Sequence, residues 1–444
     1  YPSWRDYPHV ANFYGPGYFL LVGLLGRAAG AGLEGLFLIG RAVNFGAGVL
    51  TCLLLGWYAG RRHGAPGATI AAVLGLGAAP MVGYGEMVRP DLMAEALGFA
   101  GFLLVVRRGR AEQLAGGAGL VLAIFTKQTA GIFLLAGALA LTLEGRRRAA
   151  GLVLGGGLLA AVVVLVGVTW WVEPGFAEGL LGDSRTPWDP GLRATLLASL
   201  GLVAPDLPFF TAVGLGLWGR GPTKDLRLLA LAVVVTAAEV ATAAKLGADL
   251  NYFLGSRLVA ALAAASLWSA ARAADARWRP RLAAVAACGA LLLSWGAAFT
   301  GSQAQAMATR AQSLTTAGGR ELLRTHGAIE QRAREPRFRL LTDSGLLDAH
   351  QFERTAFGDP YLFRVLVATA QVDPARMRSW IARAEYDLIV TRRDLRSPAY
   401  DAYQFGLPPP LAREARRRYC LVGERSGLFF YRPRGDRGPG LGVP

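Results

Sequence analysis

Charged residues are scarce in this 444-residue chain: they make up 18%, against 53% for hydrophobic residues. A soluble domain is nearer a quarter charged, so we expect much of the surface to face something other than water. Cysteine is rarer still, with Cys52 and Cys288 inside apolar runs and Cys420 alone, and no pair has the spacing of a disulfide framework or a metal site. No metal-ligand motif is therefore indicated, although a divalent metal cofactor stays open.

The sequence also lacks an initiating Met and a signal-peptide pattern. It begins at Tyr1, and no basic start followed by an apolar core comes after it. We therefore expect the natural protein to begin upstream of residue 1.

Apolar runs fill the chain from about residue 36 to residue 300. A bilayer-spanning helix needs roughly 20 predominantly apolar residues, and several runs reach that length. They predict an α-helical polytopic membrane protein with about ten spans, at 36–60, 66–83, 90–106, 115–126, 129–143, 150–170, 195–219, 228–247, 253–271 and 282–300. The fourth and fifth spans are short and meet at Lys127-Gln128, where we expect a polar turn.

Basic residues fall mainly on every second loop between these runs. Those loops carry 15 Lys and Arg residues, against six on the alternate loops. Since Lys and Arg accumulate in cytoplasmic loops, residues 1–35 and 301–444 are predicted to lie on the non-cytoplasmic side of the membrane. The basic residues behind the net charge of +16 are therefore distributed among the loops and do not form one continuous basic surface. We expect no nucleic-acid partner.

Three regions follow from this pattern. Residues 1–35 are predicted to be an outside loop with an amphipathic interfacial helix, and 36–300 the transmembrane bundle. Residues 301–444 are predicted to be a small α/β domain with a disordered tail. Residues 338–343 and 386–390 have the pattern of buried strands, and residues 373–384 have the pattern of a helix. Residues 420–422 and 427–431 are predicted to form a hairpin.

Ionisable residues within or beside spans are costly and are therefore candidates for function. Glu86, Arg89 and Asp91 lie where the second span turns into the third, with Pro90 placing Asp91 at the start of a helix. They are interpreted either as an acceptor or metal site beside an anionic donor, or as an Arg–carboxylate pair that anchors the loop.

Two further groups lie on the same predicted outside face. Lys127 and Gln128 interrupt two apolar runs, so the lysine either binds a phosphate or reaches to the interface. The second group suits a lipid phosphate and a sugar ring, or is an interfacial belt; it consists of Lys245, Asn251, Tyr252 and Arg257.

The order of several short motifs resembles the GT-C class of membrane glycosyltransferases, in particular the superfamily of bacterial protein O-mannosyltransferases and lipid-A aminoarabinose transferases. The similar motifs, which together span nearly the whole chain, are Tyr14-Gly-Pro-Gly-Tyr18, Gly40-Arg-Ala-Val-Asn44, Arg89-Pro-Asp91, Phe125-Thr-Lys-Gln128 and Asn251-Tyr-Phe253.

This resemblance implies transfer of a hexosyl or pentosyl group, with inversion, from a polyprenyl-phosphate carrier to a lipid, glycan or protein acceptor at the outer face of the membrane. It implies a carboxylate base in the first outside loop, where Asp6 is the acid present, and the main carboxylate is expected upstream of residue 1. Asp91 and Glu86 are the other acids considered, and Arg89, Lys127 and Arg257 the phosphate or donor contacts. A lipid-sugar flippase or transporter and a non-catalytic scaffold are the alternatives.

Overall fold

A computed structural model gives the fold of this chain. It describes residues 15–76, 88–171, 176–177, 225–242, 254–273, 316–333, 335, 337–343, 363–364, 367–368, 370, 372–403 and 406–435. One compact unit contains α1 to α5, most of α6, α7 and α8, and the other contains the described residues from 316 onward.

Helices make up the described part of the first unit. They are α1 (Gly17–Ala28), α2 (Leu33–Leu76), α3 (Asp91–Val105), α4 (Arg110–Thr126), α5 (Gly131–Leu143), α6 (Arg147–Trp171), α7 (Leu226–Thr242) and α8 (Leu254–Ala273). A 3₁₀ turn at Gln128–Ala130 separates α4 from α5. Among the described residues, two helical stretches, Gly35–Leu76 and Arg147–Trp171, are long and apolar enough to cross a bilayer. The total of ten spans stays a prediction, and the predicted spans 195–219 and 282–300 lie outside the described residues.

Helix α2 is broken at Gly64, where the backbone takes φ 71° and ψ −173°, a conformation that only glycine adopts readily. The break reverses the chain, and the second half packs back on the first: Gly56 lies against Ala68 and Ala72. The first two apolar runs, which the sequence divides at residues 61–65, therefore form a helical hairpin with its turn at Gly64.

The basic loops meet at one end of this helical unit. Asp225 caps α7 by accepting the backbone N–H groups of Arg227 and Leu228, and its other oxygen accepts from the Tyr58 hydroxyl at 2.8 Å and pairs with Arg62 at 2.6 Å. Side chains from α2 and the start of α7 are thus tied together.

A second set of polar contacts joins the loops after α3 and α5. Glu144 accepts from the Arg227 Nε at 2.5 Å and from Arg146 at 3.3 Å. Arg146 also donates to the carbonyl oxygens of Val106 and Arg107. The loops at 61–62, 106–107 and 144–146 and the start of α7 therefore share one end, which agrees with the alternation of basic residues in the sequence.

The second unit is a four-stranded sheet covered by helices. The strands are β1 (Leu340–Thr342), β2 (Leu388–Thr391), β3 (Tyr419–Arg425) and β4 (Leu428–Pro433), in the order β1-β2-β4-β3 with β1 and β2 parallel and the other pairs antiparallel. The helices are α9 (Ala317–Ala333), α10 (Ala375–Ala382) and α11 (Pro409–Arg418), and a 3₁₀ turn lies at Pro398–Tyr400.

Alternate residues of β2 face opposite sides of the sheet. Ile389 packs with α10 and α11, whereas Leu388 and Val390 pack with Ile329 and Ala333 of α9. The small α/β domain predicted from the strand patterns is therefore present, although the sequence analysis did not predict α9. The terminal hairpin also differs from the prediction: Ser426 and Gly427, both at positive φ, form its two-residue turn, so β3 extends to Arg425.

Candidate functional site

The candidate site lies at the end of the helical unit opposite to the basic loops, and a glycine turn helps to build it. Gly15 and Gly17 approach the last turn of α4 so closely that a Cβ atom on Gly15 would overlap the Phe125 carbonyl oxygen, and one on Gly17 would lie 2.8 Å from the Thr126 Oγ1. The Gly-Pro-Gly motif is therefore packed against the Phe-Thr-Lys-Gln motif, and only glycine permits that approach.

A third motif joins them through α2. The Tyr18 hydroxyl donates to the Gly40 carbonyl oxygen at 2.7 Å, and both residues are buried. A Cβ on Gly40 would lie 2.8 Å from Val88, which leads into α3. Segments that are far apart in the sequence thus meet around the start of α3.

An ion pair between Lys127 and Asp91 forms the centre of the site. The Lys127 Nζ lies 2.6 Å from the Asp91 Oδ1, and the two side chains are 9% and 2% exposed. Arg89, 31% exposed, contacts the other carboxylate oxygen through its Nε at 3.1 Å. One buried carboxylate therefore contacts two cations. Lys127 lies 36 residues from Asp91 in the chain, and Arg89 lies two residues from it.

Local backbone structure places both partners. Asp91 is the first residue of α3, after Pro90, and a carboxylate there is favoured by the helix dipole by about 0.5 kcal/mol. Lys127 has an extended backbone, with φ −154° and ψ 123°, because α4 ends at Thr126 and a 3₁₀ turn follows. Because the helix ends there, the Lys127 side chain is directed toward Asp91.

Glu95 adds a second carboxylate one helical turn after Asp91. Residues four apart lie on one face of a helix, and Glu95 is close enough to Asp91 and Lys127 for all three charges to interact. Its Oε2 atom is buried and has no hydrogen-bond partner within the described part of the chain. The sequence analysis did not single out Glu95, although a carboxylate within an apolar run was the signal that identifies it.

This arrangement suits an anionic ligand. Arg89 and Lys127 bring two positive charges to the one carboxylate that both contact, and the partly exposed Arg89 offers a guanidinium to a ligand that enters from outside. A lysine that is held by a buried carboxylate is already oriented and desolvated, so its attraction to a phosphate is stronger than it would be in water.

The other predicted site residues are placed as follows. Gln128 opens the 3₁₀ turn next to Lys127, and Arg257 lies in the first turn of α8; both are partly buried. The remaining predicted residues lie outside the described residues: Asp6, Glu86, Lys245, Asn251 and Tyr252. Within the described ranges, no three His, Cys, Asp or Glu side chains are grouped closely enough to hold a metal ion.

Comparison with known structures identifies the fold as GT-C-like, which confirms the resemblance predicted from the motifs. The chain is similar to the crystal structure of ArnT from Cupriavidus metallidurans in the apo state, with a TM-score of 0.58 and 16% identity over 96% of this chain and 89% of that chain. It is also similar to the same protein bound to undecaprenyl phosphate, with a TM-score of 0.57 and 16% identity over 97% and 90%. At this identity the likeness is one of fold. Neither a protein-family model nor a curated protein sequence matches the chain.

Proposed function

We propose that this protein is an integral membrane glycosyltransferase that moves a sugar from a polyprenyl-phosphate carrier to a lipid, glycan or protein acceptor at the outer face of the bacterial inner membrane. The GT-C-like fold supports the class. The similarity to ArnT, which has been crystallised with undecaprenyl phosphate, supports a polyprenyl-linked donor.

The observation that carries the proposal is the buried Lys127 with Arg89 beside it. In the transfer, the bond between the anomeric carbon and the phosphate oxygen breaks, and its electron pair stays on the lipid phosphate. Preorganised cations next to that oxygen stabilise the charge it gains, which is the largest contribution many enzymes make to such a step. Lys127 and Arg89 are proposed to provide it.

Asp91 is proposed to position these cations. Both of its oxygens already contact a cation, so it holds the lysine and the arginine in place rather than offering a free lone pair to a proton. The acceptor oxygen would attack the opposite face of the anomeric carbon, which inverts its configuration, and its proton would pass to a carboxylate of the outside loops. Asp6 and Glu86 are the candidates for this base.

The test is a transfer assay with purified full-length protein, radiolabelled polyprenyl-phosphate sugars and a membrane extract as acceptor. Wild type would be compared with Asp91→Asn and Lys127→Ala. Arg148→Ala serves as a matched control, because Arg148 is an exposed arginine in the first turn of α6. We expect label in an acceptor with wild type and the control, and strong loss in the two site variants.

Two outcomes would overturn the proposal. Carrier binding without transfer, equal in all four proteins, would point to a flippase or transporter. Absence of both carrier binding and transfer in folded wild-type protein would point to a scaffold. Elution of each variant as a single species in size-exclusion chromatography would show that lost activity is not lost folding.

A further inference from the structure

The end of the helical unit that carries the basic loops has a surface feature that the proposed transfer does not use. Because α2 reverses at Gly64, its two halves enclose an open groove of about 560 Å³. Small and apolar side chains form most of its wall, and Trp57 and Arg61 lie at one end. The lining residues are Leu53, Gly56, Trp57, Gly60, Arg61, Ala68, Thr69 and Ala72.

Two guanidinium groups lie over the Trp57 ring at the charged end of this groove. Arg61 is 5.8 Å and Arg107 is 5.0 Å from the ring centroid, within the range of a cation–π contact. The indole is 41% exposed, so the pair lies at the surface. One arginine comes from α2 and the other from the loop after α3, and both guanidinium groups contact the same tryptophan ring.

These two arginines differ from the three arginines of the polar network at the same end. Arg62, Arg146 and Arg227 each pair with a carboxylate. Arg61 and Arg107 have no carboxylate partner among the described residues. Two such positive charges without a counter-charge among the described residues favour a bound anion.

We infer that this groove binds an anionic glycerophospholipid of the leaflet at the basic end, with its phosphate between Arg61 and Arg107 and an acyl chain along the groove. Basic pockets between membrane helices on the cytoplasmic side are known to hold acidic lipid head groups. From Arg61 to Leu53 the groove follows α2 for roughly 12 Å, at 1.5 Å per residue, in the direction of the opposite end. An acyl chain entering there would run into the hydrocarbon layer.

The simpler alternative is an interfacial belt. Arginine and tryptophan are common at membrane surfaces without holding any particular lipid. A belt of that kind would show no preference for an acidic head group and would not depend on the shape of the hairpin, so both properties can be tested.

Native mass spectrometry of the full chain in detergent, titrated with phosphatidylglycerol or phosphatidylcholine, is the experiment. We expect wild type to retain phosphatidylglycerol in preference to phosphatidylcholine. The double variant Arg61→Gln/Arg107→Gln is expected to lose roughly fivefold in affinity per arginine. Arg147→Gln/Arg148→Gln, which removes two exposed arginines at the same end but outside the groove, is the matched control and should bind as wild type does.

A third variant tests the groove without changing charge. Thr69 is exposed and lines the groove, so Thr69→Trp would fill it and should also weaken phosphatidylglycerol binding. Equal binding of the two lipids by wild type, unchanged binding in the arginine pair variant, or unchanged binding in Thr69→Trp would each overturn the inference. Displacement of phosphatidylglycerol by an equimolar polyprenyl phosphate would assign the groove to the carrier instead and would overturn it as well. Lipid retention is read without substrate turnover, so its outcome is independent of the transfer assay.

Discussion

The two ends of the helical unit use the same kinds of side chain in different ways. At the basic end, Asp225 accepts from two backbone N–H groups, a tyrosine and an arginine, and Glu144 pairs with Arg227 and Arg146. At the other end, Asp91 pairs with Lys127 and Arg89, while the neighbouring Glu95 keeps a buried oxygen without a hydrogen bond among the described residues.

The difference indicates that one end holds the helices together and the other end binds a ligand. Buried polar groups are normally satisfied, so the saturated network at the basic end is what a structural clamp between helices requires. An oxygen left without a donor costs free energy unless a ligand supplies one. About 30 Å separates Gly40 from Arg61 along α2, close to the thickness of the bilayer hydrocarbon core.

The largest expected effect is loss of stability at the basic end. Asp225→Ala removes the carboxylate that holds Arg62, Tyr58 and the start of α7, and the loss of the helix cap together with the acceptor of the buried Tyr58 hydroxyl costs roughly 2–5 kcal/mol. We expect a clear fall in the apparent Tm in detergent, with transfer per folded molecule retained. Transfer lost in step with Lys127→Ala, at an unchanged Tm, would contradict the division between the two ends.

At the site end, the expected effect is on rate. Lys127→Ala removes the buried cation, and loss of one preorganised charge contact lowers kcat by roughly 100- to 1,000-fold. Lys127→Arg keeps the charge and should recover part of the rate. Steady-state kinetics with fixed acceptor would measure both variants, and a change confined to KM would argue that Lys127 only binds the donor.

A smaller effect is expected where the motifs pack on one another. Gly15→Ala places a methyl group against the Phe125 carbonyl, which must shift the residues next to Lys127. A displacement of that size is expected to cost on the order of 10- to 100-fold in transfer. Gly117→Ala in α4 is the control, because nothing lies within 4 Å of its Cβ position; equal rates in both variants would contradict the proposed packing role.

The smallest effect concerns a third buried carboxylate, in the second unit. Asp343 follows β1 and accepts hydrogen bonds from the Arg392 backbone N–H at 2.9 Å and the Tyr400 hydroxyl at 3.3 Å. Burial raises the pKa of this carboxyl to about 7, because its effect outweighs these hydrogen bonds and the charge of Arg392. Asp343 is therefore partly protonated at neutral pH.

A raised pKa means that the folded state binds the proton more tightly than the unfolded state does. The associated stability is complete below the ordinary pKa of 3.8 and is lost as the pH rises through about 7. From about pH 6 to about pH 8 we expect the region around β2 to lose about 1 kcal/mol. Hydrogen exchange of the β2 amides, corrected for intrinsic rates, would measure this loss. Asp343→Asn should abolish it, and the same pH dependence in the variant would assign it to another group.

Much of the secondary structure could be predicted from local patterns. Apolar runs predicted α3 to within a residue, and short apolar runs and a hairpin pattern predicted the four strands of the second unit. A polar turn was predicted where two short apolar runs meet at Lys127-Gln128, and a 3₁₀ turn lies there at Gln128–Ala130. The hairpin turn was misplaced because the positive-φ preference of Ser426-Gly427 was not used.

The sequence by itself determined where helices and strands form and how the basic residues alternate between loops, since both depend on neighbours in the chain. It also placed Arg89, Asp91 and Lys127 among the candidate site residues. Only the tertiary structure decided that Lys127 pairs with Asp91, that Asp225 joins α2 to α7, and that the glycine turn at residue 15 packs on the end of α4. Those contacts join segments far apart in the sequence, and the packing of helices against one another fixes them.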